Sequence, residues 1–149
     1  MTTQEALKYI TRHHPHSIYL NETELSALRG IDKQTQARRR KEAIGIVHTN
    51  CVYEAPKYLI LDYAKWLSND TNFKIFTDEL EEEINRIFPK LIEFTTGNIA
   101  QLLGISSQTI SRHQGEDVAI KSSPNEKGNP TYKINDVIEW IIKHRVETA

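Results

Sequence analysis

The sequence predicts a mainly helical protein with small β wings, built from two tandem copies of one small domain. Two observations predict this class. The chain repeats itself, without a gap, at an offset of 74 residues. Within each copy, short stretches with apolar residues at helical spacing alternate with glycine, proline and polar turns. We therefore divide the chain into repeats 1–74 and 75–149, and expect each to be a domain.

The repeat is clearest at residue types that seldom match by chance. The offset of 74 pairs Gly30 with Gly104, and it aligns GIDKQTQAR at 30–38 with GISSQTISR at 104–112. Further pairs are Arg12 with Arg86, Pro15 with Pro89, Pro56 with Pro130, Tyr58 with Tyr132, Asp62 with Asp136 and Trp66 with Trp140. Two copies are too few for a solenoid, and a core of about 70 residues is marginal alone. The copies are therefore expected to share a sizeable contact.

Three helices are predicted at the start of the second copy. TDELEEEINRIF predicts a helix that Pro89 ends, because proline inside a helix loses a hydrogen bond and clashes with the preceding turn. TTGNIAQLLG predicts a short helix that stops at Gly104, and ISSQTISRH predicts a third helix with Ser106 as its N-cap. Two short helices joined by a tight turn form a helix-turn-helix arrangement.

A hairpin and a last helix complete the copy. VAIKSS and TYKI predict strands on either side of the polar turn PNEKGN, and this hairpin is the expected wing. NDVIEWIIKHR predicts the last helix, capped by Asn135 or Asp136. The first copy follows the same scheme with ETELSALRG, IDKQTQARRRK, AIGIVHT, KYLI and LDYAKWL. Trp66 and Trp140, one in each last helix, are expected in the core.

The motif [IL]-[AS]-x-L-x-G-I-[SD]-x-x-T, followed by a hairpin and by Y-x-I-x-D-x-x-x-W-[IL], resembles the winged helix-turn-helix of the MerR-type and excisionase families. The resemblance covers positions 20–67 and 94–141, without the helix that precedes each. It fits the second copy better, because Ile110 is the apolar residue that seats the third helix in such domains, where the first copy has Gln36. It implies tandem winged helix-turn-helix domains, each preceded by an extra N-terminal helix, whose third helix enters the DNA major groove.

The candidate DNA-binding residues lie on the third helices and the second wing. Glutamine pairs with adenine and arginine with guanine, while serine and threonine near a helix start donate to phosphates. The candidates are Lys33, Gln34, Thr35, Arg38, Arg39, Arg40 and Lys41 in the first copy, and Ser107, Gln108, Thr109, Ser111, Arg112, Lys121, Lys127 and Lys133 in the second. The alternative is structural: the glutamines and threonines fit a tight turn, and Arg38 and Arg112 pair with carboxylates of their own domain.

Charge separates the two copies. Residues 1–75 carry 11 basic and 8 acidic side chains, a net of +3, whereas residues 76–149 carry 8 basic and 12 acidic ones, a net of −4. The acidic excess lies in DELEEE at 78–83, which is either a solvated helix face or a surface for a basic protein partner. The total of −1 excludes a protein that coats nucleic acid through bulk positive charge.

The last helix of the second copy carries more apolar residues than one buried stripe requires. They are Val137, Ile138, Trp140, Ile141 and Ile142. Such a broad apolar face is not expected to stay in water. It either packs on the first copy or forms a homodimer through this C-terminal helix.

Several classes of protein are not expected. No apolar run approaches the roughly 18 residues of a membrane span, and the N-terminus lacks the order of a secretion signal. Cys51 is the single cysteine, which excludes an intramolecular disulfide and favours a cytoplasmic protein, nucleoid-associated when bound to DNA. His13, His14 and His16 lack the further ligands of a metal site. We expect no cofactor and, without a nucleophile motif or phosphate-binding loop, no enzyme.

Sequence-specific binding of double-stranded DNA is the leading hypothesis, in a transcriptional regulator with two recognition helices per chain. An excisionase-like, architectural DNA-bending factor or a phage packaging or segregation factor is the alternative within DNA binding. The alternative from another class is a protein-interaction adaptor that has lost DNA binding, which the negative net charge and the acidic helix favour.

Overall fold

The protein is mainly helical, with small antiparallel sheets. The structure, a computed structural model, describes residues 1–32, 34–35, 38, 46–49, 53, 57–68 and 77–146. The predicted boundary between residues 74 and 75 lies outside them.

The six described helices and strands of the first half recur in the same order in the second, which also contains one further helix and one further strand. The first half contains α1 (Thr3–His13), β1 (Tyr19–Leu20), α2 (Glu22–Arg29), β2 (His48–Thr49), β3 (Tyr58–Leu59) and α3 (Ile60–Leu67). The second contains α4 (Thr77–Ile87), β4 (Glu93–Phe94), α5 (Thr96–Leu103), α6 (Ser107–Arg112), β5 (Ser123–Pro124), β6 (Pro130–Lys133), α7 (Ile134–His144) and β7 (Arg145–Val146).

Local structure repeats at the same offset as the sequence. Helices α1 and α4 have equal lengths and begin 74 residues apart, and so do α2 and α5. The register repeats as well, because Leu20 lies opposite Tyr58 and Phe94 lies opposite Tyr132. Both α2 and α5 end at a glycine, Gly30 or Gly104, with φ of +69°, a left-handed conformation that glycine adopts without steric cost.

One of the two apolar clusters among the described residues spans both halves. A cluster centred on the second half also takes in Ile18, Tyr19, Tyr53, Leu59 and Leu61 of the first. A second cluster belongs to the first half and consists of Ala6, Ile10, Leu20, Leu25, Ile46, Tyr58, Ile60, Tyr63 and Ala64. The shared cluster provides the contact between copies that their small size predicts.

Polar contacts also join the halves. The ammonium of Lys65 in α3 lies 3.2 Å from the Glu79 carboxylate in α4. The guanidinium of Arg86 donates to the carbonyl oxygens of Pro15 and Ser17, at 3.2 and 3.3 Å. Because each of these contacts joins a residue of one half to a residue of the other, together they hold the two halves in a defined mutual orientation.

The second hairpin is shorter than the sequence predicts. Strand β5 spans Ser123–Pro124, so most of the predicted strand VAIKSS lies outside it. In this stretch the Ile120 amide does not pair with a described strand. It donates to the side-chain hydroxyl of Tyr53 at 2.9 Å. Helix α7 begins at Ile134, with Lys133 at its N-cap and without a side-chain cap, so the predicted capping by Asn135 or Asp136 is wrong.

Only one of the two tryptophans is a core residue. Trp140 is 5% exposed and its indole donates to the carbonyl oxygen of Val118 at 2.8 Å. Trp66 is 37% exposed, so its expected core position is wrong. Its ring stacks on Tyr63, and the guanidinium of Arg29 lies 4.6 Å from its centroid, an arrangement that stabilises a ring at the surface.

The broad apolar face of α7 is buried largely within the chain. Val137, Ile138, Trp140 and Ile141 are buried, and the Trp140 ring lies 5.7 Å from that of Tyr53 in the first half. Ile142 is 40% exposed. The first of the two predicted destinations, packing on the first copy, therefore accounts for part of this face.

Candidate nucleic-acid interface

Helix α6 follows α5 through a tight turn. The Ile105 amide donates to the Ala100 carbonyl at 3.0 Å, which closes the end of α5. Ser106 then caps α6 by accepting from the Thr109 amide at 3.2 Å, as the sequence predicts. Ile110 is 1% exposed and anchors α6 in the core. The opposite side of the helix is left to the solvent.

Four candidate residues lie exposed on α6: Ser107, Gln108, Ser111 and Arg112. Within the part of the chain that the structure describes, Arg112 forms no ion pair with a carboxylate. The structural alternative for Arg112 therefore gains no support. An exposed amide and a guanidinium on one helix are groups that recognise base edges in a major groove.

The two candidate threonines have structural partners. Thr109 is 8% exposed, and its hydroxyl lies 2.8 Å from that of Ser106. Thr35 donates from its amide and its hydroxyl to the Asp32 carboxylate, at 2.7 and 3.0 Å. Both hydrogen bonds lower the pKa of Asp32, and the one from the backbone amide has the larger effect. Both threonines therefore have a role in the turn that precedes the helix.

The described glutamine and arginine candidates of the first half lie in positions like those of their equivalents in the second half. Gln34 and Arg38 are helical and exposed, at the positions equivalent to Gln108 and Arg112. The candidates Lys33, Arg39, Arg40 and Lys41 lie outside the described residues, as does Gln36. Asp32 occupies the position of Ser106, an N-cap that the offset of 74 would have identified from the sequence.

The three candidate lysines on or near the second hairpin are exposed. Lys127 lies at the tip of the hairpin, Lys133 at the end of β6 and Lys121 ahead of β5. The tip is ordered by Asn125, whose side-chain oxygen accepts from the amides of Lys127 and Asn129, both at 2.9 Å. Sequence analysis missed Asn125, although asparagine in a polar turn is typical of this role.

Tyr53 is a second residue that sequence analysis missed. It belongs to the first half, yet its ring lies 5.7 Å from that of His113, at the end of α6. His113 in turn approaches the Glu116 carboxylate at 2.9 Å. Tyr53 is 6% exposed, so the first half supports the base of the exposed helix in the second.

The acidic segment 78–83 serves two purposes. Asp78, Glu81 and Glu82 are exposed. Glu79 pairs with Lys65, and Glu83 is 8% exposed and lies 3.3 Å from the Arg86 guanidinium. Burial raises the pKa of Glu83 against the opposing effect of Arg86. The segment is thus a solvated face at three positions and part of the fold at two.

Other site types gain no support from the part of the chain that is described. No group of three metal-ligating side chains occurs there. His14, one of the three clustered histidines, lies 3.1 Å from the Glu24 carboxylate. No helix among these residues is long and apolar enough to cross a membrane.

Comparisons with known proteins identify no relative. No protein-family model matches the chain, and no curated protein or solved structure shows significant similarity to it.

Proposed function

We propose that the chain is a sequence-specific double-stranded DNA-binding protein with two winged helix-turn-helix units, each preceded by an extra helix. The observation that carries this proposal is the shared placement of a glutamine and an arginine. Gln34 with Arg38, and Gln108 with Arg112, occupy equivalent helical positions, and all four are exposed. Asp32 and Ser106, which are also equivalent, cap these helices by accepting from the amides of Thr35 and Thr109.

Each third helix would enter a major groove, and the second wing would touch the adjacent backbone through Lys127 and its neighbours. The first unit is proposed to bind more strongly, because four consecutive cations occupy positions 38–41 of its sequence, whereas α6 carries one arginine. Neutralised phosphates supply most of the sequence-independent affinity. The second unit then binds at the high effective concentration that tandem linkage provides.

The contacts between the halves constrain the spacing of the two DNA sites that one chain would bind. Because Lys65–Glu79 and the shared core fix the two units, their helices are held at one separation. One chain would therefore read two sites at a fixed spacing, of which one helical turn, about 34 Å, is the simplest. We propose the role of a cytoplasmic, nucleoid-associated transcriptional regulator. A footprint at an attachment site, in place of a promoter, would assign the chain to the architectural factors instead.

Selection of bound fragments from random genomic DNA tests the proposal. The expected result is enrichment of two short motifs at constant spacing by the wild-type chain. The double variant Gln108→Ala/Arg112→Ala should lose one motif and keep the other, while the exposed control Lys8→Ala on α1 should keep both. Failure to enrich any motif would contradict sequence-specific binding, and enrichment of both motifs by the double variant would remove the role of α6.

A further inference from the structure

The first wing, in which Thr49 of β2 bridges to Lys57, carries an extended segment on the outer edge of β2. Strand β7 pairs antiparallel with β2, so that Val146 lies opposite His48 and Arg145 opposite Thr49. The Arg145 guanidinium donates two hydrogen bonds to the Asp62 carboxylate, at 2.6 and 3.1 Å. Their side chains are 4% and 3% exposed. This is strand addition to a sheet edge, fixed by a buried bidentate ion pair.

The second half repeats the framework of this site. Thr49 bridges to Lys57 in the first wing, and Ser123 pairs with Thr131, 74 residues further along, in the second. Asp136 occupies the position of Asp62, in the first turn of the last helix. The second wing therefore presents a strand edge and a carboxylate in the arrangement that holds β7 in the first.

In the second half, the part of the chain that the structure describes leaves this edge open. The sheet order is β4-β6-β5, which makes β5 an edge strand. Ser122, the equivalent of His48, forms no backbone hydrogen bond to a described residue. Asp136 is partly exposed and lies in no ion pair with a described cation. An open sheet edge is a template for pairing with another chain.

The charged side chains beside the edge of β5 indicate which kind of segment would bind there. An open groove next to Asp136 is also lined by Asp117 and Glu139, against Lys121 and Lys143. Three carboxylates and two ammonium groups make the groove acidic on balance, so it complements a cationic segment. Arginine suits the position best, since its planar guanidinium binds a carboxylate through two hydrogen bonds.

We propose that the second wing docks an extended segment of a partner protein by strand addition. An arginine of that segment would lie opposite Ser123 and bind Asp136, and a β-branched residue would follow it opposite Ser122. The occupant is a different protein because the chain's own Arg145–Val146 already lies on β2. The proposal is independent of DNA binding, since it needs neither recognition helix.

Amide chemical shifts of the isotope-labelled full chain test this. The probe is the peptide KHRVETA, which copies residues 143–149. Saturable shifts are expected at Ser122 and Ser123, with affinity about tenfold lower in Asp136→Asn, because the charge-assisted pair is lost. Ser122→Pro should also abolish the shift at Ser123, because it removes the amide that is equivalent to that of His48, the residue opposite Val146 in the first wing. The peptide KHEVETA, in which glutamate replaces the arginine, is the matched control and should not bind.

The intact chain's own tail is not expected to exchange with the probe, because tethering gives it an effective concentration on the order of millimolar. Shifts confined to His48 and Thr49 would therefore overturn the proposal. So would equal affinity of the wild type and a folded Asp136→Asn variant, or the absence of shifts. A concentration-dependent dimer that Asp136→Asn abolishes would make a second copy the occupant and would also overturn it.

Discussion

Arg145→Ala is expected to be strongly destabilising. In the folded chain its guanidinium makes two hydrogen bonds with Asp62, and both side chains are almost fully buried. Truncation leaves the carboxylate in the same buried surroundings without the guanidinium. Removing one partner of a buried ion pair costs about 3–5 kcal/mol.

This cost converts to a large thermal shift. For chains of about 150 residues, 1 kcal/mol corresponds to about 2–4 °C in Tm, so Arg145→Ala should lower Tm by about 6–20 °C. Replacing both partners with apolar residues, Asp62→Leu with Arg145→Met, should cost much less, because no buried charge remains. The comparison separates the ion pair from the packing of β7.

Urea denaturation followed by far-ultraviolet circular dichroism measures these differences. Arg112→Ala is the matched control, because it removes the same side chain from an exposed position, and it should change the free energy of unfolding by less than about 0.5 kcal/mol. A loss below about 1 kcal/mol for Arg145→Ala would refute the structural role of the pair.

Three further results are expected. Ser106→Ala should lower the free energy of unfolding by about 1 kcal/mol in urea denaturation, because it removes the N-cap of α6; no change would contradict that cap. Burial raises the pKa of Glu83, so the folded state is stabilised at this site as the pH falls through that pKa. The stability of Glu83→Gln relative to wild type should therefore be greater at pH 7 than near pH 4.5, and a constant difference would argue against the raised pKa. In gel-shift titrations, Arg38→Ala with Arg39→Ala should weaken DNA binding more than Arg112→Ala, and unchanged affinity would remove the role of the first unit.

Local structure was largely predictable because the repeat supplied each pattern twice. Gly104 ends α5 and Ser106 caps α6 as expected, since both depend on the chemistry of one or two residues. The exposure of Trp66 was not predictable from its helix. It depends on Arg29, whose position over the ring comes from the tertiary arrangement.

The contacts between the halves could not be predicted from the sequence for a related reason. Tyr53 and Arg145, which join the halves, have no counterparts in the repeat, because Lys127 and Thr71 stand at the equivalent positions. Their partners are set by how two copies dock, and no local periodicity encodes that arrangement. The exposed glutamines and arginines were identifiable because helical spacing alone places them together.

Fluorescence anisotropy of mixed double-stranded genomic fragments, titrated with the chain over a series of salt concentrations, tests DNA binding most directly. The wild type should bind at low salt, and the logarithm of its affinity should fall with the logarithm of salt concentration by about 0.9 per phosphate contact. The quadruple variant with alanine at Gln34, Arg38, Gln108 and Arg112 should bind much more weakly and with a shallower slope. Absence of binding by the wild type, or equal binding by a folded quadruple variant, would contradict the proposed role of the third helices.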